Sequence, residues 1–306
     1  MPVGVIIIGF GYHQYPTGDY AAIPGVVVDI FAAREYALER KWEPHVITDI
    51  KRPQKIPGTI TEKIVSAEIG SGVYDYVDRW PHKDSKLVDH KVGVIEGVIQ
   101  ALRWIAKHCE QCLIYYSGHG VDGHLVMPDH QLLSLVELRA LITKELPVSH
   151  PVLILLDCCR AGAFRLPLEL REGSFRLRSA PWDACAHDIT VITSNGDREV
   201  ATAREYGSTF TRHFFKQLRS RTGTPKLTDL IAAISKGCAT DRDPASTLTQ
   251  KICVYRSHLA EVVLPTWFMG EPPPPPAGPV VIKGGGVPTV SFAWDIEHCC
   301  IIMRRH

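Results

Sequence analysis

Short uninterrupted runs of apolar residues recur along the chain, including VIIIG at residues 5–9 and VLILL at residues 152–156. Runs of this length without polar alternation are typical of strands that are covered on both faces. Between such runs, residues 27–41 and 92–107 carry apolar residues at helical spacing. Strands that alternate with helices in this way predict a parallel sheet.

The same pattern along the chain predicts an α/β fold with a mostly parallel central sheet and helices on both faces. The predicted strands are residues 1–10, 44–49, 112–117, 151–157, 188–193 and 251–255. The predicted helices are residues 27–41, 92–107, 135–144, 208–218 and 227–237. A polar, arginine-rich stretch at residues 164–182 is interpreted as a loop.

The composition changes after Pro265, where Glu271 is followed by five prolines and then by glycine-rich sequence. Such a segment acts as a semi-rigid spacer and not as a packed element. We therefore predict a domain at residues 1–264, a linker at 265–288 and a tail at 289–306. The tail contains a strand-like VSFAW, and it is interpreted either as a docking segment or as a frayed end.

The 306 residues carry 34 Lys and Arg against 33 Asp and Glu, a formal net charge of +1. This balance favours neither nucleic acid nor an anionic membrane as a partner. No apolar run approaches the ~20 residues of a membrane span, and the first residues lack the features of a signal peptide. The nine cysteines are an odd number spread over a long chain, which argues against a disulfide framework. We expect a cytoplasmic globular protein with no organic cofactor.

Two predicted strands end in residues that can carry out nucleophilic catalysis. The strand at 112–117 is followed by Gly118-His119-Gly120, and the strand at 151–157 is followed by Cys158-Cys159. Ligands bind at the carboxyl ends of parallel strands, so both segments should open onto one crevice. A histidine and a cysteine in that crevice can act as a general base and a thiol nucleophile.

Cys159 is the predicted nucleophile, and His119 is the predicted general base. If the strand alternation continues, Asp157 and Cys159 point to one side and Cys158 points to the other, where it packs as a neighbour. The backbone N–H groups of Gly120 and Cys159 are the predicted donors to the oxyanion. The competing interpretation makes both side chains structural, which is the more frequent situation for a lone buried His or Cys. The glycine context and the two strand ends favour catalysis.

In the segments around His119 and Cys159, the chain resembles the caspase-like cysteine peptidases. It resembles the metacaspases and paracaspases more than the animal caspases. The match consists of YSGHG around His119 and D-x-C-x-x-G from Asp157 to Gly162, and a stretch at residues 208–211 resembles the family's G-x-F-T block. The animal caspase form is not met, because Ala161 intervenes before Gly162. The resemblance implies a caspase-like three-layer fold. It also implies hydrolysis of protein or peptide substrates through a thioester acyl-enzyme.

The resemblance further implies an acidic pocket for the residue that precedes the cut. The matching positions are Asp29, Ser117 and Asp157. Two carboxylates in one cavity attract a cationic side chain, which implies cleavage after Arg or Lys. Without the family match, Asp29 would be interpreted as a solvated helix residue. Asp29 ends the stretch 25–29, which matches a G-C-x-N-D segment of the metacaspases. Val26 and Val28 replace the Cys and Asn of this family segment, and this departure can narrow or dry the pocket.

No metal site is expected. Many metacaspases hold calcium partly through an Asp-Asp pair, whereas the matching stretch here begins with Leu135-Val136. Aliphatic residues supply no oxygen ligand, and Asp122 and Asp129 alone make a poor calcium site. The sequence therefore predicts activity without calcium.

The arginine-rich stretch lies where the family has its inter-subunit loop. An enzyme that cleaves after Arg presents its own substrate there, so self-cleavage is one hypothesis and a solvated basic loop is the other. The candidate residues for self-cleavage are Arg165, Arg171, Arg176 and Arg178.

Two further interpretations compete with an Arg- or Lys-specific endopeptidase. One is a catalytically latent scaffold or adaptor with a caspase-like domain, against which the intact His119 and Cys159 argue. The other is a peptidase of the same fold that prefers a different residue before the cut, because Val26 and Val28 remodel the pocket. The oligomeric state is left open.

Overall fold

The computed structural model describes residues 2–12, 20–23, 25–50, 85–160, 164, 166–178, 184–195, 203–204, 207–221, 223, 225–241, 251–258, 265, 268, 290–295 and 300–305. Within these ranges the strands are β1 (Val3–Gly9), β2 (Glu43–Thr48), β3 (Ser85–Leu87), β4 (Gln111–Ser117), β5 (Gly120–Val121), β6 (His124–Val126), β7 (Leu132–Ser134), β8 (Val152–Asp157), β9 (Leu168–Arg171), β10 (Ser174–Leu177), β11 (Ile189–Thr193), β12 (Ala203–Arg204), β13 (Gly207–Ser208), β14 (Cys253–Arg256), β15 (Val290–Asp295) and β16 (Cys300–Arg305). The helices are α1 (Val26–Glu39), α2 (Lys91–His108), α3 (Leu135–Glu145), α4 (Thr209–Arg219) and α5 (Leu227–Thr240). None of these helices, all from the described part of the chain, has the length and apolar character that a membrane crossing requires.

In the described part of the chain, a nine-stranded sheet runs through the centre of the fold in the order β10-β9-β14-β11-β8-β4-β1-β2-β3. The strands from β11 to β3 are parallel neighbours. β14, β9 and β10 continue the sheet with antiparallel pairing. The predicted mostly parallel sheet is therefore confirmed, and the strands and helices predicted from apolar spacing are present with ends displaced by no more than three residues.

Alternate residues of the central strands face two separate apolar layers. In β8, Ile154 and Leu156 pack with the apolar residues of α2 and α3. Leu153 and Leu155 point the other way and pack with those of α1, α4 and α5. Because both faces of the strand are covered, its side chains are all apolar until Asp157, and the fold has the three layers that the sequence predicts.

The arginine-rich stretch forms a β-hairpin, so its interpretation as a loop is wrong. β9 pairs with β10 on one side and with β14 on the other, and the hairpin therefore extends the central sheet. Glu172 and Gly173 form its turn with φ values of 48° and 81°, which are typical of a two-residue hairpin connection. The cross-strand pair Leu170 and Phe175 packs against the core. The dense arginines hide this short apolar alternation in the sequence.

Phe268, a residue of the predicted linker, packs with the core, and the domain bounds stay a prediction. Phe268 is fully buried, and its ring centroid lies 5.5 Å from those of both Tyr36 and Trp42. This aromatic residue belongs to the core, although the composition change placed it in the linker. In the predicted tail, β15 and β16 pair antiparallel. The proline run lies outside the described residues.

Candidate active site

The ends of β4 and β8 bring the two predicted catalytic segments together. The strands are parallel neighbours with Ser117 opposite Asp157, and the N–H of Gly118 donates to the carbonyl oxygen of Asp157 at 3.3 Å. His119 and Cys159 each follow this aligned pair by two residues. Both segments therefore leave the sheet at the same edge, where ligands of parallel sheets bind.

The imidazole of His119 is fixed by one hydrogen bond and two aromatic rings. Its Nε2 lies 2.7 Å from the carbonyl oxygen of Ala21, and the rings of Tyr12 and Tyr20 lie 4.8 Å and 5.3 Å from it between centroids. A carbonyl only accepts, so Nε2 carries the proton and Nδ1 is the basic nitrogen of the neutral ring. Burial lowers the pKa of His119, and the bond to Ala21 opposes this effect. Burial thus favours the neutral ring, the form that acts as a base.

The two adjacent cysteines differ in exposure. Cys158 is buried in the apolar layer of α2 and α3, and burial raises the pKa of its thiol well above the ordinary value. Cys159 is partly exposed. This difference follows the alternation of side chains along β8 and makes Cys159 the accessible thiol of the pair.

An ion pair joins the turns that follow the two strands. Arg160, next to Cys159, has a φ of 52°, and its guanidinium lies 2.6 Å from Oδ1 of Asp122. Asp122 belongs to the turn between β5 and β6, three residues after His119. Both side chains are exposed, so the pair adds little stability, but it connects the cysteine turn to the histidine turn.

Gly120 packs directly against the cysteine turn. A Cβ at this position would lie 2.3 Å from the carbonyl oxygen of Cys159 and 2.8 Å from Sγ of Cys158, so only glycine fits. The carbonyl oxygen of His119 accepts from the N–H of Val126 at 3.0 Å and so points towards β6. Backbone groups of consecutive residues in a strand point in opposite directions, and the N–H of Gly120 therefore points away from β6. That direction is compatible with its predicted role as an oxyanion donor.

Asp29 is buried and not a solvated helix residue. It is 2% exposed, and its carboxylate accepts hydrogen bonds from Oγ of Ser117 and from the N–H of Ser208, both at 2.8 Å. Gly207 allows this approach, since it has a φ of 99° and a Cβ there would lie 2.8 Å from Oδ1 of Asp29. Two of the three predicted pocket residues are thus in direct contact.

The third predicted pocket residue, Asp157, is buried in the same region. Oγ1 of Thr211, on α4, donates to Oδ2 of Asp157, and the hydroxyl of Tyr115 lies 2.6 Å from Oγ1 of Thr211. Because Thr211 gives its proton to the carboxylate, Tyr115 is the donor in the second bond. Against the larger effect of burial, hydrogen bonds from the side chains of Ser208, Thr211 and Ser194 lower the pKa of Asp157.

Burial raises the pKa of both carboxyl groups. For Asp29, the charge of Asp157 adds to the effect of burial, whereas the bonds from Ser208 and Ser117 and the charge of Arg212 oppose it. The two groups cannot both ionise at low cost, since they are buried near each other. A cation bound between them relieves this repulsion.

Three contributions to the site have little or no signature in the sequence. Ala21 acts through its backbone carbonyl, which no side-chain pattern reveals. Ser208 and Thr211 lie in the block at 208–211, whose resemblance to the family motif was the available signal, although the sequence assigned them no role.

The candidate arginines for self-cleavage differ in accessibility. Arg171 ends β9 and Arg176 lies in β10, and both are exposed. Arg178 is buried, and its guanidinium lies 4.6 Å from the ring centroid of Tyr255. Arg165 lies outside the described residues. Arg178 is therefore the least accessible of the three that are described.

The described residues include no group of three or more His, Cys, Asp or Glu side chains that can hold a metal ion. Asp122 is paired with Arg160, and the carboxylate of Asp129 accepts from the N–H groups of Lys91 and Gln131. Both carboxylates that the sequence offers for calcium thus have protein partners. Activity without calcium stays a prediction.

Comparison with known proteins identifies the family of the chain. The model of the caspase domain family matches residues 91–264, more than half of the chain, a range that contains His119 and Cys159 but not Asp29. Among solved structures, caspase-1 from Spodoptera frugiperda is similar, with a TM-score of 0.55 and 14% sequence identity over 88% of this chain and 90% of that chain. At this identity the similarity concerns the fold alone. No curated protein sequence matches the chain. By the extent of the sequence match, the chain belongs to the caspase domain family.

Proposed function

We propose that the chain is a cysteine endopeptidase in which Cys159 attacks the peptide bond, His119 is the general base, and cleavage follows Arg or Lys. Membership of the caspase domain family implies cysteine peptidase activity on protein substrates in general. The observation that carries the more specific proposal is the alignment of Ser117 with Asp157. It brings the histidine and cysteine segments to one edge of the sheet, as in the metacaspases that the sequence resembles.

In the first step, Nδ1 of His119 takes the proton of the Cys159 thiol, and the sulfur attacks the carbonyl carbon of the substrate. The hydrogen bond from Nε2 to the carbonyl oxygen of Ala21 supports this role. It keeps the proton of the neutral ring on Nε2, so that Nδ1 is free to accept the thiol proton. A neutral base is required, and burial lowers the pKa of His119 in that direction.

The attack moves negative charge onto the carbonyl oxygen of the substrate. The backbone N–H groups of Gly120 and Cys159 donate to this oxyanion in the proposed mechanism. When the intermediate collapses, the C–N bond breaks, the leaving amine takes the proton from Nδ1, and a thioester remains on Cys159. A water molecule then gives a proton to Nδ1 and attacks the thioester carbon, which releases the carboxylic acid and the thiol.

The preference for Arg or Lys rests on the buried carboxylates. Asp29 and Asp157 lie close enough together for the charge of Asp157 to raise the pKa of Asp29, after the larger effect of burial. A guanidinium or ammonium group supplies both a donor and the opposite charge. An Asp or Glu at the same place of the substrate would be repelled. Of the two valines that depart from the family segment, only Val28 lies beside Gly207, whereas Val26 is buried in the apolar layer.

A catalytically latent protein is the second candidate, and one observation favours it. Asp29 and Asp157 are only 2% and 3% exposed, so a substrate side chain reaches them only after a rearrangement. A partner or self-cleavage can supply that rearrangement. A peptidase with another preference remains the third candidate, because the pocket assignment depends on Asp29, which precedes the matched range.

The test uses fluorogenic peptides that end in Arg, Lys, Gln or Asp before the reporter group, each with calcium and with a chelator. We expect turnover of the Arg and Lys peptides only, unaffected by the chelator and lost in Cys159→Ala. Cys185→Ala is the matched control, since Cys185 is, like Cys159, a partly exposed cysteine. Cleavage after Asp would overturn the pocket assignment and leave the catalytic pair standing. No turnover by the wild type, with no labelling of Cys159 by a thiol-reactive peptide, would favour the scaffold.

A further inference from the structure

The backbone of His119 is held by two buried phenols, whose hydroxyl oxygens lie 3.2 Å apart and which the proposed mechanism does not use. The hydroxyl of Tyr12 accepts a hydrogen bond from the N–H of His119 at 2.9 Å. The hydroxyl of Tyr116 donates to the carbonyl oxygen of the same residue at 2.8 Å. Burial raises the pKa of both tyrosines, so both hydroxyl groups stay protonated.

The Tyr12 hydroxyl occupies a position in a strand ladder. The N–H of Val126 donates to the carbonyl oxygen of His119, as in an ordinary antiparallel pair. In such a pair, the N–H of His119 would donate back to the carbonyl oxygen of Val126. Here the Tyr12 hydroxyl lies between these groups, since it accepts from His119 and donates to the carbonyl oxygen of Val126 at 2.9 Å. Together with the hydroxyl of Tyr116, which lies 3.1 Å from the same oxygen of Val126, it sets the spacing between His119 and β6.

Tyr12 is itself held in an unusual conformation by a buried carboxylate. Its φ is 56°, in the left-handed region that bulky residues rarely adopt. The N–H groups of Gly11 and Tyr12 each donate to one oxygen of the Asp49 carboxylate, both at 2.7 Å. Asp49 follows β2 directly and is buried. The carboxylate thus stabilises the turn that directs the phenol towards His119.

We propose that Tyr12, oriented by Asp49, is a positioning residue for the general base His119. The phenol sets the position of the His119 backbone through its oxygen, and its ring packs on the imidazole at a centroid distance of 4.8 Å. This inference rests on the proposed function, because it assigns Tyr12 to the base of that reaction. Tyr12 lies outside the two proposed catalytic segments, on the turn after β1.

The variant Tyr12→Phe removes the hydroxyl and keeps the ring. The N–H of His119 then loses its partner, and the histidine turn closes towards Val126. Misplacement of a catalytic group by about 1 Å can cost about 100-fold in rate, so we expect kcat for an Arg peptide to fall by roughly 10- to 100-fold. KM stays unchanged, because the hydroxyl bonds to the histidine turn and not to the carboxylate pocket.

Tyr36→Phe is the matched control. Tyr36 is equally buried, and its hydroxyl donates to the carbonyl oxygen of Phe268 at 3.4 Å on the opposite face of the sheet. Its removal is expected to leave kcat and KM unchanged. Asp49→Asn is a second variant, since an amide has one acceptor oxygen in place of two, and it should lower kcat in the same way as Tyr12→Phe.

Amide hydrogen exchange at His119 gives a readout that needs no activity. We expect faster exchange at this amide in Tyr12→Phe and wild-type exchange in Tyr36→Phe. Wild-type kcat in Tyr12→Phe would overturn the positioning role, as would equal losses in kcat and stability in both tyrosine variants. If the wild type cleaves no peptide and a thiol-reactive peptide does not label Cys159, the proposed function fails. Unchanged exchange at His119 would then overturn the inference separately.

Discussion

Oγ of Ser117 donates a 2.8 Å hydrogen bond to Oδ2 of Asp29, although the two residues are 88 positions apart in the sequence. The bond places a carboxylate of α1 beside the residue at the end of β4, two positions before His119. An acidic group in this position lies close to the edge where a substrate would be cut. The relationship therefore connects the catalytic segment to the proposed preference for a cationic residue.

Asp29→Asn should remove much of this preference. The substitution keeps the shape and one acceptor oxygen but removes the negative charge that, in the proposed complex, would pair with a bound substrate cation. Unpairing a buried charge costs about 3 kcal/mol or more, so kcat/KM for an Arg peptide should fall about 100-fold, whereas kcat/KM for a Gln peptide should not change. Asp89→Asn is the control, because Asp89 is exposed. An equal loss on both peptides would contradict a role in specificity.

The preference for Arg should also depend on pH. Burial, and then the charge of Asp157, raise the pKa of Asp29, so the free protein holds a proton that a bound guanidinium must displace. The ratio of kcat/KM for Arg to that for Gln peptides should therefore rise as the pH rises from the ordinary carboxyl range towards the raised pKa. Any pH dependence that comes from His119 and Cys159 is the same for both substrates, so it cancels in this ratio. A ratio independent of pH, or one still dependent on pH in Asp29→Asn, would contradict this assignment.

The core strands are the part that the sequence predicts well, and the catalytic roles of His119 and Cys159 stay a prediction. β8 is recognisable because both of its faces are buried, and this burial requires an unbroken apolar run that ends at Asp157. His119 and Cys159 stand out because glycines and strand ends surround them. The burial of Asp29 was expected only from the family resemblance, since one Asp in a helix carries no signal of its own.

The remaining features depend on contacts between distant segments. Ala21 reaches His119 through a carbonyl group, and Tyr12 reaches it through a turn stabilised by Asp49. Neither contact leaves a periodic pattern in the sequence. Phe268 joins the core although the neighbouring prolines favour a linker. In each case the tertiary environment decides what local composition does not.

The two adjacent cysteines should respond differently to substitution. Cys159→Ala should abolish turnover and leave the free energy of unfolding nearly unchanged, because Cys159 is partly exposed. Cys158→Ala should keep the activity but lower the free energy of unfolding by about 1 kcal/mol, because it removes a buried sulfur from the core. Iodoacetamide should label Cys159 and not Cys158, whose thiol pKa burial raises. Activity in Cys159→Ala would assign the nucleophile elsewhere.

Self-cleavage within residues 165–178 should occur at the turn of the β9–β10 hairpin. Peptidases bind a substrate as an extended segment, so strand pairing must open around the cut. Arg171 forms the last pair of the hairpin, directly before the exposed turn of Glu172 and Gly173, where the least pairing has to open. Arg178 is buried against Tyr255, so cleavage there requires the strands to separate. Prolonged incubation should give a fragment that begins at Glu172, detected by mass spectrometry.

This fragment should be absent in Arg171→Gln and in Cys159→Ala, and it should persist in Arg178→Gln, which removes the buried arginine of the same hairpin. The Cys159 variant separates self-cleavage from a contaminating protease, because it lacks the nucleophile and keeps the hairpin. An active protein that stays a single intact chain would exclude self-cleavage as a step in activation. A fragment that still forms in Arg171→Gln would move the site to Arg176 or to a residue outside the hairpin turn.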